Sequence, residues 1–114
     1  MPYFEVQTST CLKKETQDAL YHELGRIMEL VPGKSEQWVM VHLEENAKMC
    51  FSGNSQAPAA AIVVKTFHEL EEQYYDLLTA ELCKSAAQLL GVDSKRIYVI
   101  YEPISHWGWD SGNF

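Results

Sequence analysis

The sequence predicts an α/β (α+β) fold in which a duplicated β-α-β unit builds a four-stranded mixed sheet with two helices on one face. Three observations predict it. Apolar residues alternate over four short segments, recur at helical spacing over two long ones, and follow the same order in both halves of the chain at an offset of 58 residues.

Tyr3 to Thr8 reads as the first strand, entered through Pro2, which a strand start tolerates because its first ladder donor is dispensable. A helix follows from about Lys13 to Leu30, where Leu20, Leu24, Ile27, Met28 and Val31 recur on one face, and Pro32-Gly33 ends it. From Gln37 to Leu43, Val39, Val41 and Leu43 alternate with Trp38, Met40 and His42, giving a second strand that is apolar on both faces. Met49-Cys50-Phe51 reads as a short edge strand before a polar turn at Ser52 to Ser55. Ala59 to Thr66 is the third main strand. A second helix runs from about Glu69 to Leu90, with Leu70, Tyr74, Leu77, Leu78, Leu82, Ala86, Leu89 and Leu90 inward and an acidic start that suits the helix dipole. Gly91 stops it, and Arg96 to Tyr101 forms the fourth strand before a short tail.

The chain is one domain, 1–114, with pseudo-repeats of about 2–43 and 60–101. Pro2 to Val6 matches Ala60 to Val64, Gly33 matches Gly91, and Val39, Val41 and Leu43 match Ile97, Val99 and Tyr101. Two right-handed β-α-β units joined in one sheet leave its second face bare. Central strands apolar on both sides would make that face a hydrophobic patch, so a symmetric homo-oligomer is the expected cover.

Composition narrows the function classes. A net charge of −7 opposes contact with nucleic-acid backbone or an anionic membrane, so neither is an expected partner. No apolar run approaches the roughly 20 residues of a membrane span, and Glu5, Gln7 and Thr8 interrupt any signal-peptide pattern, which favours a cytoplasmic protein, with release lacking a signal peptide left open. Cys11, Cys50 and Cys83 are odd in number, lack any CxxC spacing and read as reduced thiols. His22, His42, His68 and His106 form no helical ligand pair, so neither a metal nor another cofactor is expected.

One pair of residues carries a chemical possibility. Proline at position 2 permits removal of the initiator methionine, which would leave a secondary amine fixed in a ring. An ordinary α-amine has a pKa of roughly 7.7 to 8.0, and an apolar pocket or a neighbouring lysine would lower it. Taking the starts of the first and third strands as parallel and at one end of the sheet, the Gly33-Lys34 turn returns the chain to that end and brings Lys34 toward Pro2. An amine base beside a fixed cation suits abstraction of a proton α to a ketone in an anionic substrate. Taken residue by residue, Pro2 also reads as an ordinary strand start and Lys34 as a solvated turn residue.

The assembled motifs decide between these readings. "MPYF", "PGKSEQWVMV", "FSGNSQ", "KRIYVIYE" and "GWDSGNF", in order along the whole chain, resemble the macrophage migration inhibitory factor family of the tautomerase superfamily, most closely its bacterial members. The resemblance implies the tautomerase fold, a homotrimer whose sheets close into a barrel, and an enol-keto tautomerase of phenylpyruvate-like α-keto acids with its site at a subunit boundary. It assigns Pro2 as the catalytic base, Lys34 as the carboxylate ligand and Thr66 as the position of a backbone donor. Tyr98 matches a pocket tyrosine and Trp38 an aromatic one, both implied to come from the adjacent subunit. Trp107, Trp109 and Phe114 fall in an aromatic wall suited to an aryl substrate. Interface packing is the other reading of these aromatics.

Three departures from the vertebrate pattern stand out. Ile100 replaces an asparagine, Pro58-Ala59-Ala60-Ala61 replaces a CxxC, and the segment between Tyr101 and Gly108 is shorter by about two residues. The second loss removes the basis for thiol-oxidoreductase chemistry. The alternative function, also from the resemblance, is a signalling or host-interaction protein that keeps the fold and a vestigial pocket and acts through a host receptor.

Overall fold

Alternation along the two central strands sorts the sheet into two unlike faces. In the computed structural model, which describes residues 1–114, strand β1 (Pro2–Thr8) buries Pro2, Phe4, Val6 and Thr8, and strand β3 (Ala60–Phe67) buries Ala60, Ile62, Val64 and Thr66. Helix α1 (Lys14–Met28) sets Leu20, Leu24, Ile27 and Met28 against this face, and helix α2 (Glu72–Leu90) sets Leu78, Leu82, Ala86 and Leu90 there. Each such aliphatic or aromatic side chain contributes about 1.5–3 kcal/mol on full burial, so this one layer dominates the favourable side of folding. No helix is long and apolar enough to cross a membrane.

The sheet order is β2-β1-β3-β4, with β2 at Met40–Glu44 and β4 at Ile97–Ile104. Each helix joins a parallel pair, β1 with β2 and β3 with β4, as a right-handed crossover demands. The two halves then meet through β1 and β3, which are antiparallel, Pro2 facing Thr66 and Thr8 facing Ala60. This corrects the expectation that the first and third strands start at the same end. Two copies of one unit that share a central pair related by a pseudo-twofold axis run in opposite directions.

The duplication is deeper and longer than the apolar pattern indicates. Both outer strands are preceded by a single 3-10 turn, Glu36–Trp38 in the first half and Ser94–Arg96 in the second. Each turn is capped alike, since Ser35 Oγ accepts from the Gln37 N–H and Asp93 Oδ1 from the Lys95 N–H. Each half also ends in a two-residue hairpin. Phe51 and Asn54 pair across Ser52 and Gly53 (φ 54° and 74°), and Trp109 and Gly112 pair across Asp110 and Ser111 (φ 48° and 70°). The repeat therefore continues through the tail, where strands β5 (Gly108–Trp109) and β6 (Gly112–Asn113) form.

Several boundaries differ from the periodicity for local reasons. The second strand starts at Met40, because Ser35 nucleates the turn that takes up Trp38. The second helix starts at Glu72, after His68 turns the chain with φ 69° and Tyr75 Oη accepts from the Leu70 N–H. Residues 49–51 make one bridge and no strand. β4 continues through Pro103, which an edge strand permits because that nitrogen faces the unpaired side.

The face away from the helices is not the unbroken apolar patch expected from sequence. Lys65 Nζ lies 3.1 Å from Glu5 and 3.8 Å from Glu102, over the ring of Tyr3, so the middle of this face is charged. Met40, Tyr98 and Ile100 on the edge strands are its exposed large hydrophobic residues.

Candidate functional site

Ladder geometry explains why proline fits at position 2. The Phe67 N–H donates to the Met1 carbonyl at 3.2 Å and the Ser9 N–H to the Ala59 carbonyl at 3.0 Å. Antiparallel bonding alternates between these points, so Pro2 and Thr66 face each other as a non-hydrogen-bonded pair. On the other side, pairing with β2 begins one residue later, at Tyr3 and Met40. The missing N–H costs no ladder bond, and the ring is fully buried.

Lys34 reaches the same end of the sheet by a different route from the one the sequence indicated. After α1, Gly33 adopts φ 82° with open space around its α-carbon, so the left-handed backbone and not packing calls for glycine. The Lys34 N–H closes the turn on the Val31 carbonyl at 3.1 Å. Because β1 and β2 are parallel, the segment entering β2 lies beside the start of β1. The Met1 amine feels it. Burial first, and the Lys34 ammonium second, lower that amine from 8.0 to about 6. Lys34 itself is half-buried and takes part in none of the chain's ion pairs. A cation without a carboxylate partner beside a largely neutral amine is an anion-binding arrangement.

Aromatic rings extend outward from this end. Trp38 meets Trp109 edge-on at 4.9 Å, Trp109 stacks with Phe114 at 6.4 Å, and Phe114 approaches Phe67 at 5.8 Å. The Phe114 N–H donates to the Trp107 carbonyl at 3.0 Å, which folds the tail back on itself. Trp109 and Phe114 keep about half their surface exposed and so are available to a ligand. Trp38 lies in the segment entering β2, at Pro2's own end of its own chain. The resemblance implied an origin on the adjacent subunit, whereas within one chain Trp38 already meets Trp109.

Thr66 is beside Pro2 but is not the free donor expected there. Its hydroxyl is spent on the His68 carbonyl at 2.8 Å, and the same alternation turns its N–H toward β4. The donor at the chain start is the N–H of Phe67, whose acceptor is the carbonyl of Met1. Sequence reasoning missed Phe67 because a backbone donor leaves no mark in residue type. Only the strand register reveals it.

Tyr98 stands apart from all of these. It pairs with Ala61 in β3, five residues from the Thr66 that faces Pro2, which is about 16 Å along a strand. Its side chain is 61% exposed, with Phe51 edge-on at 5.3 Å. One chain therefore gathers Pro2, Lys34, Phe67, Trp38, Trp109 and Phe114 at one end of the sheet and presents Tyr98 at the other.

Comparison with known proteins agrees with this architecture along the whole chain. Residues 1–112 match the family described as Macrophage migration inhibitory factor (MIF). Among solved structures, MIF2 of Leishmania major superposes with a TM-score of 0.93 at 28% identity, covering 100% of this chain and 97% of that one. The macrophage migration inhibitory factor homologue of Prochlorococcus marinus gives 0.81 at 27% identity, with 98% of each chain covered. The macrophage migration inhibitory factor of Meriones unguiculatus is 27% identical over 116 residues, spanning 100% of this chain and 99% of its own. The duplicated fold, the match over nearly every residue and these full-length relatives together mean that the chain belongs to the macrophage migration inhibitory factor family of the tautomerase superfamily.

Proposed function

We propose that this protein is an enol-keto tautomerase of phenylpyruvate-like aromatic α-keto acids, working as a homotrimer with the Pro2 amine as its base. The observation that carries the reading is the chain start itself, where burial and the unpaired Lys34 ammonium lower the Met1 amine to about 6, in surroundings that would lower a Pro2 amine in the same direction. An ordinary α-amine is only about a tenth to a sixth free at pH 7, so a downward shift enlarges the fraction able to accept a proton.

Removal of Met1 creates the base and frees a donor in the same event. It leaves the Pro2 nitrogen as a secondary amine and releases the Phe67 N–H from the Met1 carbonyl. Lys34 and the Phe67 N–H then hold the substrate carboxylate. The aryl ring lies against Trp38, Trp107, Trp109 and Phe114. Pro2 takes the proton from the carbon between ketone and ring, and the electron pair moves into a carbon-carbon double bond as charge develops on the ketone oxygen. Tyr98 of a neighbouring copy donates to that oxygen, and the protonated proline returns its proton there to complete the enol. Thr66 supports the site by fixing the His68 turn next to Phe67.

Sharing the site between copies follows from the roughly 16 Å that separate Tyr98 from Pro2 within one chain. Three copies closing around an axis would also bring their open sheet faces together, with the Lys65, Glu5 and Glu102 cluster toward the centre.

The test combines intact mass with ultraviolet decay of phenylpyruvate enol. A mass lacking Met1, and wild-type turnover lost in Pro2→Gly, are the expected results. Equal rates in the two proteins would end the proline-base reading and favour a family member that acts through a receptor and keeps the pocket as a vestige.

A further inference from the structure

We infer that Arg96 and Phe51 are positioning residues for Tyr98, forming a clamp that fixes where its hydroxyl stands. Arg96 occupies the last position of the 3-10 turn before β4, two residues ahead of Tyr98. Its guanidinium donates through Nε to the Pro58 carbonyl at 2.8 Å, through Nη1 to that of Phe51 at 3.1 Å, and through Nη2 to those of Asn54 and Ala57 at 2.9 and 3.1 Å. Four carbonyls of one loop thus converge on one planar group, an arrangement that lysine's single ammonium would not reproduce. The loop is tightened from within, since Asn54 Oδ1 accepts from the Gln56 and Ala57 N–H groups.

What this clamp holds is an aromatic ring. The guanidinium carbon lies 5.3 Å from the centre of the Phe51 ring, and that ring meets Tyr98 edge-on at 5.3 Å, with planes 86° apart. Tyr98 is otherwise mostly exposed, so Phe51 restricts a side chain that would sample several rotamers. The pseudo-symmetry makes the device specific. At the equivalent place in the first half, Trp38 and Trp109 form the matching contact, but the residue matching Tyr98 is Met40, which has no hydroxyl to direct.

This inference rests on the proposed role of Tyr98 as donor to the enolate oxygen. Under it, Phe51→Leu removes the ring contact and leaves the loop bonds in place. Its kcat on phenylpyruvate is expected to fall about 10-fold with KM little changed, short of the ~10²-fold that a 1 Å misplacement can cost. Arg96→Lys is expected to do the same through the loop.

The deciding measurement is the double variant. In a Tyr98→Phe background, Phe51→Leu is expected to add no further loss, because the group it positions is gone. Losses that multiply would overturn the positioning role and leave Phe51 a purely structural residue. Tyr98→Phe at the wild-type rate would instead overturn the parent role of Tyr98, and this inference with it. Carbon-13 spectra of tyrosine-labelled trimer, with the Tyr98 signal assigned by its absence in Tyr98→Phe, read the contact independently of turnover. That signal is expected to move in Phe51→Leu and Arg96→Lys, and an unmoved signal would overturn the clamp whatever the kinetics.

Discussion

The two halves of the chain are built alike and carry different chemistry. Each runs strand, helix, left-handed glycine, capped 3-10 turn, strand and two-residue hairpin, in register at an offset of 58 residues. Where the first half starts with Pro2, the second starts with Ala60. Where the first follows Gly33 with the half-buried Lys34, the second follows Gly91 with Val92, which is buried in the core. Trp38 corresponds to Arg96 and Met40 to Tyr98. The end where the first half starts thus gathers a base environment, a cation and, from the second half's tail, an aromatic wall. The end where the second half starts holds a phenol supported by Phe51 of the first half. Because β1 and β3 are antiparallel, these sets lie at opposite ends of the sheet. Under the proposed reaction, a repeat that inverts itself in this way divides the site between its two ends, and another copy of the chain closes it.

The strongest way to break this comparison is at the base. Pro2→Gly is expected to lower kcat/KM on phenylpyruvate by about 10² to 10⁴, the usual worth of general base catalysis. Ala60 offers the control at the matching position. Ala60→Gly leaves the chain start untouched and is expected to keep wild-type kinetics, at the cost of some thermal stability. A Pro2→Gly enzyme with normal turnover would remove the functional difference between the halves.

Next is the phenol. Tyr98→Phe is expected to cost about 10² to 10³ in kcat, the loss typical of one donor to a developing oxyanion. The division between copies is tested by co-refolding Pro2→Gly with Tyr98→Phe in equal amounts. If each site combines one chain's Pro2 with its neighbour's Tyr98, about a quarter of the sites regain both groups. Activity no higher than the mean of the two parents, or a monomeric sedimentation profile at micromolar concentration, would place the whole site within one chain.

Lys34 should produce a smaller effect with a distinct signature. Lys34→Ala is expected to raise KM about 10-fold or more, the lower range for a hydrogen bond to a charged group. It should also shift the pH profile. A nearby cation disfavours the protonated amine, as Lys34 does at the Met1 amine, so removing it raises the amine pKa, and the rising limb of kcat/KM moves upward in the direction of an ordinary amine. Since burial is the larger cause of the lowering, only part of that distance should be covered. An unmoved limb would mean that Lys34 binds substrate without tuning the base.

How much of this was legible depended on which interactions leave a trace in residue type. The core strands and both helices were readable from Phe4, Val6, Ile62 and Val64 at period two and from Leu20, Leu24, Leu78 and Leu82 at helical spacing. Pro2, Lys34 and the tail aromatics came from motif likeness, which reports side chains. Less was available for backbone events. The turn at Glu36–Trp38 was hidden inside an apolar stretch that looks like strand, and the Phe67 donor appears only once the register is known. The antiparallel centre was missed because repeating a pattern specifies the parts and not the symmetry that relates them. The second hairpin was overlooked since Asp110 and Ser111, unlike Gly53, do not announce a positive φ as glycine does.

Gly33 and Gly91 give the smallest expected effect and the cleanest separation of fold from function. Both adopt left-handed backbone, φ 82° and 70°, and neither has an atom within 4 Å of an added β-carbon. Alanine at either position therefore meets only the backbone penalty, about 1–2 kcal/mol, and the two variants should lose similar stability in urea or thermal melts. Their kinetics should differ. Gly91→Ala disturbs the entry to a buried valine far from Pro2, so turnover should stay near wild type. Gly33→Ala displaces the turn that carries Lys34, so KM should rise and the pH limb should drift upward, as a weaker form of Lys34→Ala. Equal kinetics in the two glycine variants would show that the Gly33 turn does not set the position of the lysine, and that the first half keeps its glycine for folding alone.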